Sequence, residues 1–206
     1  MKFAALYLVL GVLPAFGGSR EPPVRLYVQF QHQPPDAVLD AIRAELQEIM
    51  LPSGMDLDWR SLDAARGDEV SSELVVVHFK GTCGIDNLEP FDGYPGPLGW
   101  THISDGEILP FSDVNCDGVR IFIQRDLLRF PEEERPAAYG RALARVLAHE
   151  LYHVFAKTRK HSSTGVAKAA YSVHDLLALK LRLEKPQCDL LRASHSHGAN
   201  SFSAGQ

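Results

Sequence analysis

The fold of this chain is decided by residues 137–156, which read AAYGRALARVLAHELYHVFA. The stretch is almost wholly apolar apart from Arg141, Arg145 and the segment 149–153. Three glutamates precede it and a basic segment follows it. Negative charge at the start of a helix and positive charge at its end both interact favourably with the helix dipole. We therefore expect a long helix that is buried in the protein.

This helix carries the motif H-E-x-x-H at His149, Glu150 and His153. Residues four apart lie on the same face of a helix, so the two imidazoles can bind one metal ion. Burying these polar groups in so apolar a helix would be costly without a partner, which favours a metal over a pair of surface histidines. The motif is typical of zinc hydrolases. We expect one zinc ion per chain, with His149 and His153 as ligands and Glu150 as the base that takes a proton from water.

A catalytic zinc ion needs a third protein ligand and an open position for water. His161 lies just past the expected end of the helix, after four residues that can turn the chain back. Asp175 and Glu184 are the alternatives, because a carboxylate on the following helix can also complete such a site. We predict His161 as the third ligand. Asp175 then remains a candidate hydrogen-bond acceptor for one of the ligand histidines.

The first 17 residues have the pattern of a signal peptide. Lys2 precedes an apolar run over residues 3–16, and Ala15 and Gly17 suit a signal-peptidase site, so we expect cleavage after Gly17. The mature protein would then be secreted or periplasmic, without stable membrane association. An uncleaved anchor is the competing interpretation, but the run is short for a spanning helix and a proline interrupts it.

The composition predicts one globular domain. The chain has 206 residues, of which 45% are hydrophobic and 23% charged, which suffices for one real core. We assign residues 18–187 to a single catalytic domain and expect the polar tail 188–206 to be disordered. The net charge of −5 gives no reason to expect nucleic-acid binding, and we expect a monomer.

Three cysteines are compatible with the oxidising compartment that export implies. Cys83 follows one predicted strand and Cys116 precedes another, so a disulfide between them would tie the ends of two neighbouring strands. Cys188 would then be free. Pairings that involve Cys188, or three free thiols, remain open on the sequence alone.

The predicted elements follow the order strand, helix, strand, strand, edge hairpin, strand, motif helix and C-terminal helix. Runs of apolar or alternating residues predict strands, and Asp105-Gly106 between two such runs predicts a hairpin. The predicted strands are residues 24–30, 55–59, 74–79, 100–103 with 108–109, and 119–123. Helical spacing predicts a helix over 36–50 and a last helix that starts near Ser172 and carries Leu176, Leu177, Leu179 and Leu181.

The motif and this order of elements resemble the upper subdomain of the metzincin clan of zinc endopeptidases, over residues 24 to about 183. The resemblance implies an α+β (α/β-like), zincin-like fold, in which a twisted mixed sheet of about five strands carries the active-site helix, a backing helix and a C-terminal helix. It also implies an antiparallel edge strand that flanks the cleft. The metzincin motif continues as H-x-x-G-x-x-H, but here Ala156 and Arg159 replace the glycine and the third histidine. The methionine below the metal is also missing, and the chain resembles small secreted bacterial proteins with a zincin motif.

The resemblance implies a secreted zinc metallopeptidase, an endopeptidase acting on a peptide or protein. An extended substrate can add to an exposed edge strand through main-chain hydrogen bonds. The expected substrate-binding residues are Gly99, Trp100, Thr101, His102 and Ile103. Tyr171 is a candidate donor to the oxyanion. The alternatives are a zinc-dependent amidase with a non-protein substrate, and a zinc-binding secreted protein without activity.

Overall fold

The structure is a computed structural model that describes residues 23–67, 71, 73–86, 88 and 96–203, with only the backbone described beyond residue 195. The predicted signal peptide, residues 1–17, lies outside these ranges. So does most of the proline- and glycine-rich segment that precedes Gly99. No helix within the described ranges combines the length and apolarity that a bilayer-spanning segment needs.

In chain order, a first strand and a first helix are followed by four more strands and then by four α-helices. The strands are β1 Val24–His32, β2 Leu57–Ser61, β3 Leu74–Thr82, β4 Gly99–Ser104 and β5 Glu107–Asn115. The α-helices are α1 Asp36–Met50, α2 Cys116–Leu127, α3 Arg135–Ala156, α4 Val173–Leu177 and α5 Lys185–Ser203. Short 3-10 turns occur at Leu51–Ser53, Leu62–Ala64 and Glu132–Glu134.

The strands form one mixed sheet in the order β2-β1-β3-β5-β4. All neighbours are parallel except β4, which runs antiparallel to β5 at the edge of the sheet. A tight turn joins these two strands, with Asp105 and Gly106 both at positive φ (51° and 86°), as a two-residue hairpin requires. The predicted α+β fold with a five-stranded mixed sheet and an antiparallel edge strand is confirmed.

One face of the sheet packs against α1 and α3. The inward-facing side chains of β1 and β3 alternate with outward ones and are fully or almost fully buried; they are Val24, Leu26, Val28, Val75, Val77 and Phe79. Helix α3 is buried over nearly its whole length. Gly140 lets α1 approach closely, because a Cβ atom there would lie 2.6 Å from the carbonyl oxygen of Val38. The core therefore fixes α3 firmly relative to the sheet.

A disulfide joins Cys83 and Cys116, with their Cα atoms 4.9 Å apart. Cys83 directly follows β3, and Cys116 directly follows β5, the neighbouring parallel strand. The bond therefore ties the ends of two adjacent strands. Cys188 is free and buried.

The predicted strand at residues 119–123 is wrong, because this segment lies within helix α2. The side chain of Asn115 caps the helix by accepting a hydrogen bond from the backbone N–H of Gly118 at 2.9 Å. Val119 and Ile123, four residues apart, bury one face of the helix. The strand next to β3 is instead β5, which continues from the hairpin through Pro110 to Asn115.

The predicted last helix is much shorter than expected, since α4 ends at Leu177 and Leu179 is 91% exposed. A capping box starts α4: the Ser172 hydroxyl accepts from the Asp175 N–H, and the Asp175 carboxylate accepts from the Ser172 N–H. With only five residues, α4 turns the chain and adds little apolar surface to the core.

The predicted disordered tail, residues 188–206, is wrong as far as residue 203, because α5 continues to Ser203. Cys188 and Leu191 are buried, and the Ser194 hydroxyl donates to the carbonyl oxygen of Phe155 at 2.6 Å. His195 lies 2.5 Å from a carboxylate oxygen of Glu73. Cys188, Leu191 and His195 recur at helical spacing and form the face of α5 that docks on the core, whereas Leu190 is 42% exposed.

Candidate metal centre and cleft

Three imidazoles meet at the C-terminal end of α3. His149 and His153 lie one turn apart on the same face of the helix. The helix ends at Ala156, and Lys157 adopts a left-handed conformation (φ 47°, ψ 42°) that reverses the chain. The reversal brings His161 back to the helix. The Nε2 atom of His153 lies 3.0 Å from that of His149 and 3.2 Å from that of His161.

The other ring nitrogen of each helical histidine is held by a backbone carbonyl. His149 Nδ1 lies 2.9 Å from the carbonyl oxygen of Val166, and His153 Nδ1 lies 2.7 Å from that of Thr158. A carbonyl oxygen only accepts, so both Nδ1 atoms carry a hydrogen. In the neutral ring, Nε2 then holds a lone pair and no proton.

These lone pairs make the cluster suitable for a metal ion. Two neutral Nε2 acceptors at 3.0 Å form no hydrogen bond with each other, so a shared cation is the natural partner. Burial and the neighbouring imidazoles lower the pKa of His149 to about 4, and burial lowers that of His153, so both rings are neutral at pH 7. Neutral imidazoles suit zinc. The ligand atoms of all three histidines lie within 4.8 Å of one another, a group that could hold one ion.

Glu150 lies beside this cluster and is only 6% exposed. Its Oε2 atom accepts a hydrogen bond from the Thr101 hydroxyl at 2.8 Å. Burial raises the pKa of the Glu150 carboxyl to about 7, although the hydrogen bond from Thr101 opposes this rise. A carboxylate that titrates near neutral pH is well matched to general-base chemistry.

A cleft runs between β4 and the segment after His161. It consists of two cavities, of about 360 Å³ and about 410 Å³, which share the lining residues Gly99, His149, Glu150 and Ala169. The first cavity is also lined by Gly96, Pro97, Leu98, Phe122, Val146, Lys168, Ala170 and Tyr171. The second is also lined by Thr101, Ile103, Ile108, His153, Thr158, Arg159 and His161. An extended molecule in the cleft would therefore pass Glu150 at its middle.

The edge strand β4 contributes only part of its predicted substrate-binding residues to this cleft. Gly99, Thr101 and Ile103 line the cavities beside Glu150. Trp100 and His102 alternate with them and line neither cavity. His102 Nε2 instead lies 2.7 Å from a carboxylate oxygen of Asp113. Within the described residues, β4 is the edge strand of the sheet and pairs only with β5, so its outer edge can accept an extended main chain.

The structure separates the three candidates for the third ligand. His161 joins the cluster, whereas the Asp175 carboxylate caps α4 and pairs with Lys168, whose Nζ lies 2.6 Å away. Partial burial raises the pKa of Asp175, but its hydrogen bonds with Lys168 and Ser172 outweigh this and bring it to about 2. Glu184 is exposed and lies outside the group of ligand atoms.

Tyr171 lines the cleft, but its hydroxyl is already engaged. It donates to the Val166 carbonyl oxygen at 2.5 Å, the same oxygen that accepts from His149 Nδ1. Its ring also packs edge-on against His149, with the centroids 5.6 Å apart. The contacts place Tyr171 behind His149, where it supports the Val166 carbonyl.

Sequence reasoning missed the two carbonyls that orient His149 and His153 and the hydrogen bond that holds Glu150. The carbonyls of Thr158 and Val166 belong to the backbone, so no side-chain pattern could have identified them. The contact between Thr101 and Glu150 joins residues 49 positions apart. It depends on how β4 is placed against α3.

Comparison with known proteins adds little to what the sequence and the structure show. No protein-family model matches the sequence, and no curated protein matches it. Among solved structures, the chain is similar to the archaemetzincin of Methanopyrus kandleri, at 15% sequence identity and a TM-score of 0.49. That match covers 89% of this chain and 99% of the archaemetzincin chain. The function proposed below rests on the geometry of the site alone.

Proposed function

We propose that this chain is a secreted zinc-dependent metallopeptidase. His149, His153 and His161 hold one zinc ion, and Glu150 is the general base. One observation carries the proposal: three imidazole acceptors converge beside a buried carboxylate at the middle of an open cleft. A purely structural zinc site has no use for such a carboxylate or for access from solvent.

When bound, zinc supplies a Lewis acid that polarises a substrate carbonyl and makes water more acidic. Glu150 accepts the proton from the attacking water and passes it to the leaving amine nitrogen. The Val166 and Thr158 carbonyls keep the His149 and His153 rings in the tautomer that presents Nε2 to the ion.

A peptide is the substrate that the surroundings of the site favour. The free edge of β4 passes directly beside Glu150 and can pair with an extended main chain. Recognition through main-chain hydrogen bonds predicts weak dependence on any single substrate side chain. We further propose that the mature protein lacks residues 1–17, leaves the cytoplasm and acts as a monomer.

Metal analysis tests the ligand set. Purified mature protein should carry about one equivalent of zinc. His149→Ala and His153→Ala should each lose the ion, and His161→Ala should weaken its binding far more than Asp175→Ala. His174→Ala, which changes an exposed histidine of α4, is the matched control and should keep full zinc content. Full affinity in His161→Ala would refute the third-ligand assignment.

Activity of the Glu150→Gln variant tests the catalytic proposal. Glutamine keeps the shape of the side chain but accepts no proton, so zinc and fold should persist while the cleavage rate falls by about 100-fold or more. A broad peptide library is the substrate, and chelation followed by zinc addition is the control on the wild type. If zinc-loaded wild type cleaves nothing in the library, the peptidase proposal fails and hydrolysis of a non-peptide amide becomes the leading alternative.

A further inference from the structure

The carboxylate of Glu150 is enclosed by strand β4. The Thr101 hydroxyl lies 2.8 Å from Oε2 and 3.2 Å from the backbone carbonyl oxygen of Glu150. On the other side, a Cβ atom added to Gly99 would lie 3.0 Å from Oε1 and 2.8 Å from a methyl group of Val146. One oxygen of Glu150 is therefore held by a donor, and the other occupies space that only glycine leaves free.

Thr101 has a single hydroxyl proton, so only one of its contacts can be a strong donated bond. The carboxylate is the closest acceptor and carries the charge, which makes it the stronger partner. Ser112 lies opposite Thr101 on β5, and its Oγ is 3.3 Å from the Thr101 Oγ1. Ser112 is 1% exposed, so its hydroxyl can donate to Thr101 without competition from water. The result is a chain of hydrogen bonds from Ser112 through Thr101 to Glu150.

We propose that Thr101 is a positioning residue that fixes the Glu150 carboxylate beside the metal centre, with Gly99 leaving room for its second oxygen. This inference rests on the proposed function, since it assigns the role to the base of that reaction. Thr101 then has a role beyond that of a substrate contact on the edge strand. The side chain of Thr101 acts through Glu150, so Thr101 offers a bound peptide only its backbone.

The consequence for catalysis is a change in kcat without a change in KM. Thr101→Val removes the hydroxyl. The Glu150 carboxylate is then no longer held in a single orientation, and it loses its only side-chain hydrogen-bond donor among the described residues. Hydrogen bonds to charged groups contribute enough that kcat should fall by about 10- to 100-fold. KM should stay within about twofold, because the β4 backbone is unchanged. Thr101→Ser restores the hydroxyl and should recover most of the rate.

A double-mutant cycle tests whether Thr101 acts through Glu150. Thr101→Val should lower kcat in the wild-type background but cost less than about twofold when Glu150 is already glutamine. Ser112→Ala should give a smaller loss than Thr101→Val and serves if the valine variant does not fold. Thr82→Val is the matched control. Thr82 is an exposed strand residue that forms its hydrogen bonds through its backbone, so the cleavage rate of this variant should equal that of wild type.

Zinc content and a crystal structure of Thr101→Val give readouts that do not depend on activity. Zinc content should be unchanged, and the Glu150 carboxylate should move from its wild-type position. A kcat within twofold of wild type, a rise in KM alone, or an equal loss in the Glu150→Gln background would each overturn the positioning role. Should wild type cleave no peptide, the proposed function fails separately, and the position of the carboxylate in the variant crystal still decides the claim for Thr101.

Discussion

Helix α3 carries two polar clusters one turn apart, one closed to solvent and one open, and they are built on opposite principles. At Arg145, donors meet acceptors: Nε donates to Glu45 at 2.8 Å, and Nη1 donates to the carbonyl oxygens of Asp175 and Leu176. At His149, His153 and His161, acceptors meet one another.

The difference separates scaffold from site. The Arg145 cluster is nearly complete in itself, since of its nitrogens only Nη2 has no partner among the described residues. It joins α1, α3 and α4 and is closed to solvent. The histidine cluster lies in an open cleft, and its acceptors form a group that could hold a cation. A polar cluster in which donors pair with acceptors stabilises the fold. A cluster whose acceptors face one another without donors indicates a site for a ligand.

Breaking the closed cluster should have the largest effect on stability. Arg145→Met leaves the Glu45 carboxylate buried, with the Arg182 guanidinium, 3.6 Å away, as its one remaining cationic partner among the described residues. The free energy of unfolding should fall by about 3–5 kcal/mol, as measured by denaturant titration of zinc-loaded protein. Adding Glu45→Gln should recover part of this loss. Arg141→Met, on the same helix and half-buried, is the control, and an equal loss there would remove the distinction between the two regions.

Beside the open cluster, Glu150 should make the unfolding free energy of the metal-free protein depend on pH. Folding raises the pKa of Glu150 from 4.5 to about 7, so the native state holds a proton that the unfolded state has lost between these values. That contribution to stability is full below pH 4.5 and disappears as pH rises through 7. Glu150→Gln lacks this titration. In chelator, the variant should therefore gain up to about 3 kcal/mol of stability relative to wild type between pH 4.5 and 8.

The measurement is the difference between the two unfolding free energies at each pH. Histidine titrations are common to both proteins and cancel in that difference. A flat difference across the range would mean that the Glu150 carboxyl is not desolvated in the metal-free fold. With zinc bound the same comparison should change shape, because the nearby charge favours the ionised carboxylate.

The smallest effect is expected at Tyr171, which contacts both Arg145 and His149. Tyr171→Phe removes the hydroxyl that donates to the Val166 carbonyl, but His149 still donates to the same oxygen. Stability should fall by about 1 kcal/mol and zinc affinity by less than about tenfold. Competition with a chromophoric chelator measures the affinity. Tyr152→Phe, which keeps a ring next to His153, is the control and should match wild type.

The sequence predicts the motif helix and the three imidazoles that meet, because these depend on local spacing and on one chain reversal. The sheet and its edge hairpin follow from apolar alternation and from Asp105-Gly106. Residues 119–123 were wrongly predicted as a strand, because their apolar, partly β-branched side chains suit a strand as well as one face of a helix. The Asn115 cap was the signal for the helix.

Contacts between segments that are far apart in the chain could not be predicted from the sequence. Nothing local indicates that Leu191 has a surface to pack against, so the ordered α5 was predicted to be a tail. The contact of Thr101 with Glu150 likewise appears only once β4 lies against α3. Ala156 shows a related limit: it replaces the expected turn glycine, and the chain reverses one residue later, at Lys157 in a left-handed conformation.

The Cys83–Cys116 disulfide closes a covalent ring that contains the whole β4–β5 hairpin. A single cut in the backbone anywhere inside this ring would leave both new ends attached to the same molecule. The strand beside Glu150 would then remain paired with β5 and tethered to the core. For a protein proposed to cut peptides, this makes the wall of its own cleft tolerant of nicking, by itself or by other proteases, as long as the sulfur–sulfur bond is intact.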